Sequence, residues 1–210
     1  MKRGLLLLCL LAFAAGATQV SGQVGSGRPF VTTAGVDDCF ALPTEPACPS
    51  AELATFILNV LGKPLRAFDE GDGNKTLGHT FNDLPDGYNE IWVTMRLKAS
   101  GDPLTYNDTV NFEFNPDWIP GEVSAWGWGL YISSIVGWWG PGSETTITLN
   151  LADLPPDPRG RTSVMNLLED GMLDVCVDDD TIVDYIMLTS CEVPVDVNAE
   201  TWGGVKALYR

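Results

Sequence analysis

The chain has 210 residues, 45% of them hydrophobic, and a formal net charge of −16 at pH 7. That length fits one domain with a proper core. A surface this acidic repels phosphate backbones, which argues against nucleic acid as a partner and in favour of cations, basic ligands or plain solubility.

Lys2 and Arg3 lead an apolar run from Leu5 to Ala15, with small residues at Ala15-Gly16-Ala17 and Ser21-Gly22. Residues 1–22 therefore read as a signal peptide, and the expected location is secreted, extracellular. The run is shorter than the roughly 20 apolar residues of a transmembrane helix, and no later stretch approaches that length, so no membrane span is expected. Cys9 would leave with the signal. Cys39, Cys48, Cys176 and Cys191 would remain in an oxidising compartment, which points to two disulfide bonds. Three pairings are open, and short loops favour Cys39 with Cys48 and Cys176 with Cys191. Metal binding by these thiols is the weaker reading, because no C-x-x-C spacing occurs.

Gly, Ser and Thr dominate from Gln23 to Val36, which suits a flexible lead-in over 23–36 and a single ordered domain over 37–210. Ser50 precedes a helix whose apolar positions Leu53, Phe56, Ile57, Val60 and Leu61 follow the i, i+3, i+4, i+7, i+8 pattern. Gly62 ends it and Pro64 lies beyond. Its stripe is expected to cover an open edge or end of a sheet. The acidic, glycine-rich loop DEGDGN, residues 69–74, leads into a short strand from Thr76 to Phe81.

Ile91, Val93, Met95 and Leu97 then alternate with Trp92, Thr94, Arg96 and Lys98. Beyond a turn at Ser100-Gly101-Asp102-Pro103, Val110, Phe112 and Phe114 alternate with Asn111 and Glu113. Residues 118–139 hold Trp118, Trp126, Trp128, Trp138 and Trp139, with strand-like Leu130, Tyr131, Ile132, Ile135 and Val136 between them. Thr145 to Leu151 reads as a strand, Leu154 to Pro158 as a loop, and Ser163 to Leu168 as one or two helical turns ending at Gly171. The last element is GMLDVCVDDDTIVDYIML, from Gly171 to Leu188. Leu173, Val175 and Val177 alternate with Asp174, Cys176 and Asp178; the pattern breaks from Asp178 to Thr181 and resumes from Ile182 to Leu188, the mark of a β-hairpin. Roughly seven to nine short strands with one good helix predict a mostly β fold, an antiparallel two-sheet sandwich of jelly-roll type.

Two acidic clusters have calcium chemistry. Asp69, Glu70, Asp72 and Asn74 lie in one loop; Asp178, Asp179 and Asp180 lie in the expected hairpin turn. Calcium takes six to eight hard oxygen ligands, which carboxylates on loops can supply. The first is no EF-hand, since Lys75 sits where the glycine is needed and Phe81 where the bidentate glutamate should be. Asp and Asn are also good turn formers, the plainer reading. The turn gains weight if Asp184, Asp37 or Asp38 folds toward it. Trp126, Trp128, Trp138 and Trp139 could offer a stacking platform for carbohydrate rings, against which stands simple core packing; of adjacent Trp138 and Trp139, one must face outward in a strand. The sequons at Asn74 and Asn107 fit N-glycosylation. His79 is the only histidine, so no multi-histidine metal centre can form, and it reads as a hydrogen-bonded strand residue. A glycosidase needs only two carboxylates; Glu90, Glu113 and Glu122 are candidates, but no spacing selects a pair.

With the strands placed, FDEGDGNKTLGHTFNDLP, YNDTVNF, TITLNLADLP and DGMLDVCVDDDTIVDYIML together resemble a module of uncharacterised exported proteins. The likeness covers roughly residues 66 to 188. It implies a single exported β domain and no transferable activity. The expected function is a secreted, non-catalytic β-sandwich for extracellular binding, of carbohydrate or matrix components, or for cell-surface structure, calcium-stabilised. The alternative is a small jelly-roll glycoside hydrolase using two carboxylates.

Overall fold

The structure, a computed structural model, describes residues 30–41, 45–84, 88, 90–100, 108–114, 126–154 and 163–190. The expected signal peptide, Asn107, Trp118, Glu122 and Cys191 lie outside the described residues. The described residues form eight strands: β1 (Phe30–Gly35), β2 (Leu77–Phe81), β3 (Ile91–Lys98), β4 (Thr109–Phe114), β5 (Trp126–Tyr131), β6 (Glu144–Asn150), β7 (Leu173–Asp178) and β8 (Ile182–Ser190). They form two four-stranded antiparallel sheets, ordered β1-β8-β3-β6 and β2-β7-β4-β5. The mostly β, two-sheet architecture is the one expected. β1 pairs with β8, β2 with β7, β3 with β6 and β4 with β5, so the later strands run back along the earlier ones in nested order.

Alternation decides which side of each strand is dry. Ile91, Val93, Met95 and Leu97 of β3 are buried, while the opposite face carries the Lys98–Glu144 ion pair and a Thr94–Thr148 hydroxyl contact. Val93, Met95, Ile186 and Leu188 of the first sheet share one core with Leu77, Val110, Phe112, Trp128, Val175 and Val177 of the second. Each such side chain contributes about 1.5–3 kcal/mol by leaving water.

A second, smaller core lies on the outside of the second sheet. The helix α1 (Ala51–Phe56) runs on through one π turn at Ile57–Leu61. Ser50 Oγ accepts the Leu53 N–H at 3.0 Å, and Gly62 ends the run at φ +68°. Leu53, Phe56 and Ile57 pack on Cys176, Leu65 and Phe114. The apolar stripe thus covers a sheet face, not an edge or end. Gly78 permits this approach, because a Cβ there would sit 2.5 Å from Ile57 Cδ1. β7 is therefore buried on both faces, Leu173 to Val177 without a break.

Several expectations are corrected. Leu173 to Leu188 is no hairpin: β7 and β8 lie in different sheets, and the Asp cluster turns a corner between them. Alternation reports that a face is buried, not which neighbour a strand takes. Part of the expected flexible lead-in is a strand: β1, Phe30–Gly35, lies within 23–36 and finds its ladder on β8. Ile132–Val136 forms a short helix, α2, where strand was expected. Phe114 leaves the alternation of Val110 and Phe112 for the helix side, next to Glu113 at φ +55°. Cys39 and Cys48 are exposed free thiols and Cys176 is a buried one, so no disulfide occurs among the described residues. Cys39 Sγ lies beside Arg96 of the first sheet, whereas the Cys48 N–H donates to His79 of the second; short sequence separation does not bring the two together.

Candidate metal centre

The β7–β8 corner, the 69–74 loop, Ser100 and Asp108 gather at one end of the sandwich. Antiparallel pairing puts them there: Thr109 faces both Asp178 and Tyr131, Leu77 faces Val177, and Lys98 faces both Glu144 and Ile182. The corner itself is built on Arg66. Its guanidinium is buried and donates to the backbone carbonyls of Val177 (3.0 Å), Asp179 and Thr181 (2.7 Å). These contacts satisfy a tight turn in which Asp179 adopts φ +66°. Gly71 and Gly73 let the acidic loop close onto that corner. A Cβ on Gly73 would lie 3.0 Å from Asp179 Oδ1, and one on Gly71 would lie 2.7 Å from Ile182 Cγ1.

Oxygen atoms of Asp108, Asp179 and Asp180 come within 4.8 Å of one another. Asp108 is fully buried; its Oδ2 accepts from Trp139 Nε1 and Thr181 Oγ1, both at 2.7 Å, and its Oδ1 has no hydrogen-bond partner. Burial, opposed by the Thr181 and Trp139 hydrogen bonds and aided by the Asp180 charge, pushes the Asp108 carboxyl up to about 6. Ser100 Oγ donates to Asp180. Beside this cluster, Gly71, Asp72, Gly73, Asn74, Ser100, Asp179 and Asp180 line a polar recess of about 390 Å³.

The two expected calcium clusters are redistributed. Asp72 and Asn74 join Asp179 and Asp180 around the recess, with Asp72 Oδ1 accepting from the Asn74 backbone and side-chain amides at 3.0 and 3.2 Å. Glu70 is taken by the Lys75 ammonium and the Ala67 N–H. Asp178 is taken by Lys63 Nζ at 2.7 Å and Thr76 Oγ1 at 2.8 Å; despite its burial, the Lys63 ammonium holds its carboxyl below the usual range. Asp69 turns away and meets Asp38 and Asp184 in a second group within 4.8 Å. Sequence reading missed Asp108, whose only mark was its place in a sequon, and Arg66, which carried none.

The aromatic expectation divides. Trp128 and Trp139 are each 3% exposed and belong to the core, out of reach of a sugar ring; Trp138 is 76% exposed. Trp126 lies in β5. His79 has the structural role expected of it: Nδ1 accepts the Cys48 N–H at 3.2 Å and the ring packs edge-on against Phe81. Glu113 accepts the Asp174 N–H at 3.1 Å.

No family model matches the chain, and no curated protein matches it. Among solved structures it is similar to dimeric latent PorU from Porphyromonas gingivalis, at 8% identity and a TM-score of 0.32, over 78% of this chain and 13% of that one. At that similarity no property of that protein transfers.

Proposed function

We propose that the chain is an exported, non-catalytic β-sandwich of jelly-roll type, used in extracellular binding or surface structure, whose loop end is held by calcium. The nested strand pairing supports the jelly-roll reading. The observation that carries the calcium reading is Asp108 Oδ1, fully buried and without a donor, in one cluster with Asp179 and Asp180. Arg66 is a neighbouring cation, and it donates to the backbone carbonyls of Val177, Asp179 and Thr181. A hard divalent ion would supply the missing charge, with Asp108, Asp179 and Asp180 as carboxylate ligands and Asp72 and Asn74 available from the recess. Three buried or half-buried carboxylates in contact cannot all stay ionised without one.

The test is a thermal melt of the purified protein with calcium chloride and with chelator. A ligand held only by the native state at a hundredfold over its Kd adds about 2.7 kcal/mol, or roughly 5–10 °C for a domain of this size. Asp108→Asn keeps acceptors for Trp139 and Thr181 and removes the charge. It should melt higher than the parent in chelator and gain less from calcium than the parent does. Equal midpoints of the parent protein in calcium and chelator would end this reading.

A further inference from the structure

The second acidic group sits where β1, the 69–74 loop and β8 meet. In β8 the pairing to β3 steps from Tyr185 opposite Arg96 to Val183 opposite Leu97, so Asp184 is the extra residue of a β-bulge. The bulge keeps both Val183 and Ile186 in the core and leaves Asp184 fully buried beside Arg96. Bulges re-aim single side chains in this way, often at functional sites. Gly35 makes room: a Cβ there would lie 2.3 Å from the Asp184 carbonyl oxygen.

Asp184 Oδ1 accepts from the Phe40 N–H at 3.1 Å and the Asp38 N–H at 3.4 Å, and Oδ2 lies 3.3 Å from Arg96 Nη1. Asp69 is fixed by its backbone, which donates to the Val183 carbonyl at 2.9 Å, and adopts φ +61°. Its side chain is 9% exposed, and Oδ1 is buried without a hydrogen-bond partner. Asp38, on the exposed rim, completes the set within 4.8 Å. The Arg96 guanidinium is shared between Asp184 and Asp37, the latter at 2.7 Å, and makes no ion pair with Asp69. Asp69 therefore lies buried beside Asp184 and Asp38 with no donor on its Oδ1.

We propose that Asp38, Asp69 and Asp184 form a second divalent-cation site, of the calcium class, that ties the exit of β1 and the acidic loop to the bulge in β8. Asp69 and Asp184 supply the buried oxygens and Asp38 the outer one, with water filling the open side. This site uses none of the Asp108 cluster's carboxylates and stands whether or not that cluster binds an ion.

Calorimetric titration of the chelator-stripped protein with calcium chloride tests it. The parent should bind two equivalents, and Asp69→Asn and Asp108→Asn one each. Asp69→Asn removes a carboxylate that makes no hydrogen bond, so it should fold and should melt no lower than the parent in chelator. Asp38→Asn, on the exposed rim, is the second variant and should also lose one equivalent or weaken that site at least tenfold. If both variants keep the parent's stoichiometry and affinities, the proposal is overturned. A parent that binds one equivalent, lost in Asp108→Asn and kept in Asp69→Asn, overturns it while leaving the first site intact. Loss in Asp69→Asn with none in Asp108→Asn upholds it and removes the first site instead.

Discussion

Asp108 and Asp178 stand at the two ends of one corner and behave in opposite ways. Asp178 has an ammonium at 2.7 Å and a hydroxyl at 2.8 Å, so its carboxylate is favoured; Asp108 has two hydrogen bonds but no ion pair among the described residues, so burial wins. The same chemistry sets the pH response of His79. Burial drives its imidazole down to about 4, from an ordinary 6.5. Between those values the unfolded chain binds the proton and the native one does not. This contribution to stability is complete above pH 6.5 and is lost as pH falls toward 4. Asp69 and Asp108, pushed up to about 6, act with the opposite sign: their native forms hold protons that the unfolded chain releases, so stability is lost as pH rises through 6. In chelator, His79→Gln should therefore lose less of its melting temperature than the parent between pH 6.5 and 4. Parallel pH profiles for the two proteins would refute this account of His79.

At the level of elements, glycine placement decides how closely strands and loops can meet. Gly35 and Gly62 both have positive φ, +77° and +68°, yet their surroundings differ. Gly62 ends the π turn in open space, so Gly62→Ala meets only the backbone penalty of the left-handed conformation, about 1 kcal/mol. Gly35 lies against the Asp184 carbonyl and the Phe68 ring, so Gly35→Ala adds overpacking of β1 on the β8 bulge and should cost about 2–4 kcal/mol in all. Urea denaturation of the two variants measures the contrast; equal losses would show that the bulge yields freely. Ser50, Gly62 and the apolar spacing between them were legible as a helix because capping and 3.6-residue periodicity are local properties. That the helix lies on Cys176 and Gly78 was not legible, since a strand with both faces covered reads as alternation on one face only when polar residues such as Asp174 occupy the other.

For the molecule as a whole, the separation of the two sheets governs the thiols. Cys39 is tied to the first sheet through Arg96, and Cys48 to the second through His79 and the Thr80 N–H, which donates to the Cys48 carbonyl at 3.1 Å. Cys176 is 1% exposed beneath α1. An alkylating reagent should modify Cys39 and Cys48 in the native protein and reach Cys176 only after unfolding, as read by peptide mass mapping. Modification of native Cys176 at the rate of the other two would contradict the packing of α1 on β7.

Local chemistry was enough to specify the strands, the capped helix and the acidic loop, because period, caps and turn residues act over a few positions. Partner choice was not local. The step from β7 into the opposite sheet, the bulge that buries Asp184 and the meeting of Asp108 with Asp179 and Asp180 depend on residues about 70 or more positions apart, or on which sheet a strand joins. Only packing two faces into one dry core selects those pairings.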